Sequence, residues 1–245
     1  MKHLLPAVLV AGALAVAVPA AAQDGDGFRF HVPSGSWSFR GGFAMPNAGS
    51  DVFRFTENQL TVNHGDFSSV DLGADLAFAL TPRLDLVFDI AYSGMGKESE
   101  FRNFVDNNNL PIQQHTSFSR VPVSVNVRYY LSDRGRQIGR YAWVPAKVVP
   151  YVGGGLGLVN YNFSQKGDFI DDSTLAVFPD AFVSNGWAPL AQAFAGVEYS
   201  LGSSWALRAE ARYLTANAAL SQDFQGFHRI DLSGFTTNVG FFVRF

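Results

Sequence analysis

Three groups of residues in this sequence have the types and spacing to do chemistry. His115-Thr116-Ser117 places an imidazole two positions from a hydroxyl, and a histidine within reach of a serine can take its proton and make it a nucleophile for acyl transfer. Alternation puts both on the same face as Val121 and Val123, and no acid stands evidently placed to orient the His115 ring. Asp168-x-x-Asp171-Asp172 offers three carboxylates to a divalent cation, but lacks the glycine and terminal glutamate of an EF-hand loop. His31, His64 and His228 are single and widely separated, so no His-rich metal motif is present. The Gly153–Gly157 run has neither a following lysine nor a helix to make a phosphate loop; glycines lining a narrow bore explain it better. Arg134, Arg136 and Arg140 form a basic turn suited to solvent or to lipid phosphates.

The third and largest group is a set of charges at every second position of apolar segments: Arg40, Asp71, Asp75, Asp85, Asp89, Arg128, Glu198, Arg208, Glu210, Arg212 and Arg244. Their chemistry depends on the elements that hold them. From Val70 to Leu80 the even positions are apolar and Asp71, Gly73 and Asp75 fall between them. Alternate residues scatter around a helix but share one face of a strand, so this is a strand. Thr81-Pro82-Arg83 turns the chain, and alternation resumes from Leu84 to Tyr92. Similar segments begin near Trp37, Val121, Val148, Ala191, Trp205 and Phe235, which gives eight strands of about ten residues.

The chain has 245 residues, 47% of them apolar and 14% aromatic, with only 16% charged and no cysteine. The low charge tilts away from a soluble enzyme, and the net charge of −3 excludes a polyphosphate-binding surface, so nucleic acid is not an expected partner. Lack of cysteine removes disulfides, Cys-ligated zinc and lipid attachment through Cys. Met1-Lys2-His3, the apolar run Leu4 to Val18 and the small residues Ala20-Ala21-Ala22 read as a cleavable signal peptide over 1–22. Residues 23–35 are expected as a short periplasmic segment and 36–245 as the folded domain. No later run of eighteen apolar residues exists, so an exported chain this apolar must place its side chains in another pattern.

That pattern predicts an all-β fold: an eight-stranded antiparallel up-and-down transmembrane β-barrel, apolar residues facing lipid and charged ones facing the axis. A soluble sandwich or lipocalin-type barrel would invert the two faces. Aromatics at strand ends (Trp37, Tyr92, Tyr129, Tyr199, Trp205, Tyr213) favour the membrane arrangement, as do connections that alternate between short turns and long loops. The long loops are expected after Met45, Gly94, Phe163 and Ala216, facing outward. An eight-stranded bore is wide enough only for side chains, so the charges are expected to form a packed network. Asp75 and Asp89 should oppose one another across their hairpin, bridged by Arg40 or Arg128. Transport of ions or protons is the rival use of these charges.

The ending Phe235-x-Thr-x-Val-x-Phe-x-Val-Arg-Phe245 resembles the terminal strand of Gram-negative outer-membrane proteins. In that resemblance Phe241, Val243 and Phe245 form the signal read by the barrel-assembly machinery. Pro150-Tyr-Val-Gly-Gly-Gly-Leu-Gly-Leu158 is similar to a strand of the OmpA/OmpX-like group. A second resemblance, through Gly35–Pro46 and Trp187–Tyr199, is to the OmpW family. The His-x-Ser pair resembles that of outer-membrane lipid A deacylases, although the following Asn of that family is Phe118 here. Together these imply a monomeric, non-enzymatic protein of the cell outer membrane, in contact with outer-membrane lipids and lipopolysaccharide, with no cofactor. Its role would be structural or in envelope integrity or surface interaction. A narrow OmpW-like path for small or hydrophobic solutes is the alternative, and a lipid A-modifying esterase using His115 and Ser117 a third.

Overall fold

A computed structural model describes residues 27–245 except 107, 140, 172, 173 and 175. The signal peptide expected over 1–22 lies outside the described residues. In chain order the strands are β1 (Gly35–Pro46), β2 (Ser69–Thr81), β3 (Leu84–Val105), β4 (Pro111–Tyr130), β5 (Gly135–Ile138), β6 (Ala142–Pro145), β7 (Val148–Ile170), β8 (Val177–Ser200), β9 (Trp205–Ala218), β10 (Ile230–Asp231) and β11 (Gly234–Arg244). A helix, α1 (Asp51–Gln59), sits between β1 and β2.

Strands β1, β2, β3, β4, β7, β8 and β9 pair in that order, and β11 closes the ring between β9 and β1. Every pairing is antiparallel. Closure leaves no strand edge in the ring to recruit another chain. The start of β1, the end of β11 and the tight turns at Pro82 and Gly202 share one end, here called the lower end.

In the lower half the two faces divide as the alternation expects. Val123, Val125 and Val127 of β4 are exposed on the outer wall while Ser124, Asn126 and Arg128 are buried inside. Tyr129, Tyr199 and Trp205 ring the lower rim of this apolar belt, and Tyr92, Trp187 and Tyr213 the upper. Glycines make room in the narrow bore: a Cβ at Gly153 would lie 2.4 Å from the Phe194 ring.

Higher up, the same strands reverse polarity. In β4 the outward positions become His115, Ser117 and Ser119, while Ile112 and Phe118 turn inward and are buried. In β7 the outward Leu156 and Leu158 give way to Asn160 and Asn162, and Val159, Tyr161 and Phe163 fill the inside. The upper half therefore has the apolar-in, polar-out layout of a water-surrounded sheet. The inside-out layout expected for the ten-residue segments holds in the belt and does not continue into these upper segments, which lie beyond those ten residues.

The structure corrects the strand lengths. Strands β3, β4, β7 and β8 run 22, 20, 23 and 24 residues rather than about ten. The long loops expected after Gly94 and Phe163 are mostly strand: β3 runs to Val105 and β4 starts at Pro111, and β7 runs to Ile170 and β8 starts at Val177. The outward apolar signal stops at the belt, but backbone pairing does not: β7 and β8 stay in register from Val148↔Tyr199 to Ile170↔Val177.

The connection from β1 to β2 folds over the bore rather than away from it. Helix α1 buries Val52, Phe53 and Thr56 on one face, the i, i+1, i+4 stripe of an amphipathic helix. At the lower end, the backbone of Arg29 exchanges hydrogen bonds with Trp143 (2.8 and 2.7 Å), adding the N-terminal segment to the β5–β6 hairpin. The Arg29 guanidinium donates to the carbonyl of Arg244, and Trp143, 5% exposed, lies across the lower mouth.

Candidate functional site: the filled bore and its upper rim

The lower interior is a continuous ionic layer. Asp75 and Asp89 face each other across the β2–β3 hairpin, an arrangement that repels unless cations intervene. Arg40 of β1 supplies one: it donates to Asp89 at 2.6 and 3.0 Å and lies 3.6 Å from Asp75. Arg212 of β9 also grips Asp89 (2.8 Å) and pairs with Glu210 (2.8 Å). Arg208 bridges Asp75 and Glu198, each at 2.9 Å, and Arg128 reaches Asp75 at 3.3 Å. Ser38 donates to Asp75 as well. Charge-assisted, forked contacts of this kind are the strong class of hydrogen bond.

Around this layer stand groups that the charge pattern alone does not reveal. The Tyr151 hydroxyl donates to Glu210 at 2.8 Å, and that of Tyr130 to Asp85 and Glu198 at 2.9 and 3.2 Å. The Arg128 guanidinium lies 5.1 Å above the Tyr151 ring. Asp85 therefore belongs to the lower mouth, where Arg134 also donates to it at 2.8 Å. This draws Arg134 out of the solvated basic turn in which its sequence neighbours Arg136 and Arg140 place it; position 140 lies outside the described residues. Arg244 donates to Ser200 at 2.9 Å and is 3.9 Å from Glu198. Asp71 sits apart, its partner the Asn238 amide at 3.1 Å once that amide is turned with its nitrogen inward.

Arg120 is the inward charge that the sequence reading misses. It is buried and donates to the Leu232 carbonyl at 2.6 Å, at the boundary with the apolar layer above. The signal was available: Arg120 keeps the parity of Ser124, Asn126 and Arg128, but outward apolar residues begin only at Val121.

The upper interior is an aromatic plug. Phe53 from α1 packs edge-on against Phe67, Phe118 and Phe163 with ring centroids 4.8, 5.3 and 5.5 Å apart, a geometry that adds to plain burial. Leu190, Leu214, Phe224, Ile230 and Leu232 complete the cluster. Together the two layers fill the bore.

His64, His115 and His228 lie on the outside of the upper end, whereas His31 belongs to the N-terminal segment at the lower end. His115 and Ser117 share the outward face, and the Glu98 carboxylate of β3 lies 2.7 Å from His115 Nδ1. An acid is thus placed beside His115, against the sequence expectation, because Glu98 is its cross-strand neighbour. Ser117 pairs with the Ser164 hydroxyl at 2.8 Å. His64 meets Glu57 at 3.1 Å, and His228 meets Asp51 at 2.7 Å. Slight burial works against the Asp51 charge, but the backbone and ring of His228 and the Val52 N–H hold its carboxyl below the usual carboxylate range. The backbone N–H of Asn63 and the Lys97 ammonium do the same for Asp66. Among the described residues no three His, Asp or Glu side chains gather as a metal site, Asp168 and Asp171 included; Asp172 lies outside them.

No family model matches the sequence, and no curated protein does. Solved structures do. Neisserial surface protein A is similar with a TM-score of 0.50 and 12% identity over 86% of this chain and 96% of that one. Ail, the attachment invasion locus protein of Yersinia pestis, follows with a TM-score of 0.42 and 13% identity over 86% and 99%. Escherichia coli outer membrane protein W has a TM-score of 0.37 and 14% identity over 88% and 100%. With the closed ring and its apolar belt, the first of these shows that the chain has the fold of the small eight-stranded outer-membrane β-barrels.

Proposed function

We propose that this chain is an integral, monomeric protein of the bacterial outer membrane that conducts nothing and catalyses nothing. Its work is structural or done by contact through the upper end. The observation that carries this is the filled bore: Arg–carboxylate pairs occupy the lower half and packed phenylalanines the upper. An eight-stranded barrel has room for side chains or for a path, not for both. The outer belt supports contact with membrane lipids and lipopolysaccharide. Outward Phe241 and Val243, with Phe245 held by Ser34 at the lower rim, suit a terminal strand read by the barrel-assembly machinery.

Planar-bilayer recording tests the reading. Purified protein is expected to give no discrete openings, whereas openings altered by Asp75→Asn would establish the narrow channel instead. Fractionation with the outer membrane, and slower migration in detergent gels after boiling, are the expected signs of location and closure. Unchanged lipid A in overproducing cells is the expected result for a protein whose Ser117 hydroxyl pairs with Ser164 and whose His115 Nδ1 meets Glu98.

A further inference from the structure

The upper end holds a cleft beside the apolar layer, with which it shares Leu60 and Phe101. It opens between α1, the β3–β4 extension and the top of β7, with a volume of about 190 Å³. Phe55, Phe101, Phe104 and Phe169 wall it, with Leu60 and Ile170. Its polar side is made by Thr56, Gln59, Gln114 and Gln165, and among the described residues no charged side chain lines it. Phe55 and Phe104 stand 48% and 42% exposed at the mouth, whereas Thr56, Gln114 and Gln165 are buried.

The walls are fixed rather than loose. Arg102 of β3 donates to the Glu57 and Val62 carbonyls at 3.0 and 3.1 Å, tying the hairpin to both sides of Leu60. Gln165 donates to the Thr56 hydroxyl at 2.9 Å and Gln114 to the Asp168 carbonyl at 3.0 Å. Each amide carries two donors and an acceptor, and among the described residues each makes only that one side-chain bond. Their remaining amide positions are not among the atoms shut away from water without a partner, so a polar group of a ligand can take the place of water there.

Size and lining then choose the ligand. An apolar cavity of about 150 Å³ holds a benzene ring, so this cleft takes one ring with a short substituent. Four phenylalanines favour an aromatic ring, stacked edge-on. The glutamines favour a carboxamide or hydroxyl on it. With no cation in the lining, a carboxylate would lose its hydration without replacement.

Building on the proposed contact role of the upper end, we infer that this cleft is a binding site for a single uncharged aromatic ring bearing an amide or hydroxyl group. The ring belongs to a free small molecule or to a peptide side chain; the chemistry is the same.

Isotope-labelled barrel in lipid nanodiscs, titrated with phenylacetamide and followed by NMR, tests it. Saturable shifts are expected at the Gln114 and Gln165 side-chain amides. Acetamide, lacking the ring, should give none, and phenylacetate should bind at least about tenfold more weakly. Phe104→Ala, at an exposed position, should weaken phenylacetamide about tenfold while the amide spectrum of the lower barrel stays unchanged. Gln165→Leu should weaken it as well. Acetyl-Gly-Phe-Gly-amide separates the sources: binding tighter than phenylacetamide assigns a peptide-borne ring, weaker binding a free molecule. Shifts that do not saturate, equal binding of phenylacetate, or a Phe104→Ala variant that binds as well as the parent would overturn the site. A silent barrel without binding would overturn the cleft alone; a conducting barrel that binds would overturn the sealed bore alone.

Discussion

The two halves of this barrel solve opposite problems with one set of strands. In the lower half the outer wall is apolar, so charged side chains turn inward, where Asp75 alone is approached by Arg208, Arg128 and Arg40. In the upper half the outer wall carries His115, Ser117 and Asn162, and the inside is Phe53, Phe118 and Phe163. What surrounds a strand thus decides which of its faces is greasy. The difference also separates two kinds of stabilisation. Ion pairs in the lower half offset a desolvation cost and confer fixed geometry, whereas the upper half gains from burial in the ordinary way.

Removing one partner from the ionic layer should do the greatest harm. Asp75→Ala leaves three buried guanidinium groups short of a carboxylate, and a loss of about 3–5 kcal/mol is expected in urea unfolding from lipid vesicles. Phe53→Ala should cost about 3 kcal/mol, but locally: hydrogen exchange should quicken in α1 and the upper strands while the lower strands keep their protection. An equal loss of protection along the whole barrel would mean that the halves are one cooperative unit.

The polarity reversal itself is tested on a single face of β7. Leu156→Arg, in the apolar belt, should cost about 2–4 kcal/mol. Asn162→Arg, on the same face and above the belt, should stay within about 0.5 kcal/mol. Similar costs at both sites would place the belt elsewhere.

The smallest effect is at the rim. Because the Asp51 carboxyl is held below its ordinary value by His228, their contact contributes stability that is complete above about pH 4 and fades as pH falls through the lowered value. Protection of the His228 amide, taken relative to free-peptide exchange at the same pH, should therefore fall in acid, with the lower barrel unaffected. Asp51→Asn should remove this pH dependence.

The Asp75–Asp89 opposition was legible because the turn at Pro82 and a period of two fix which residues face each other. Arg40 and Arg128 were both nameable as bridging cations from their inward parity, and only the structure puts Arg40 at both carboxylates and Arg128 at Asp75 alone. The upper strands were not legible as such: above Val121 the outward positions lose their apolar character, and residues such as Lys97, Glu98 and Glu100 look like loop although they pair with β4. Helix α1 was hidden likewise, since Asp51–Gln59 is short and its stripe of Val52, Phe53 and Thr56 acquires meaning only with a bore to enter.

The sequence by itself determined the strand period, the tight turns of the lower end and the parity of the inward charges in the belt, because each depends on local backbone geometry and on side chains two residues apart. Only the tertiary structure decided where polarity reverses, that the β1–β2 connection closes the bore, and that Phe55, Phe104 and Phe169 meet around two glutamines. Those outcomes depend on what stands opposite each strand across the barrel, and chain spacing carries no record of it.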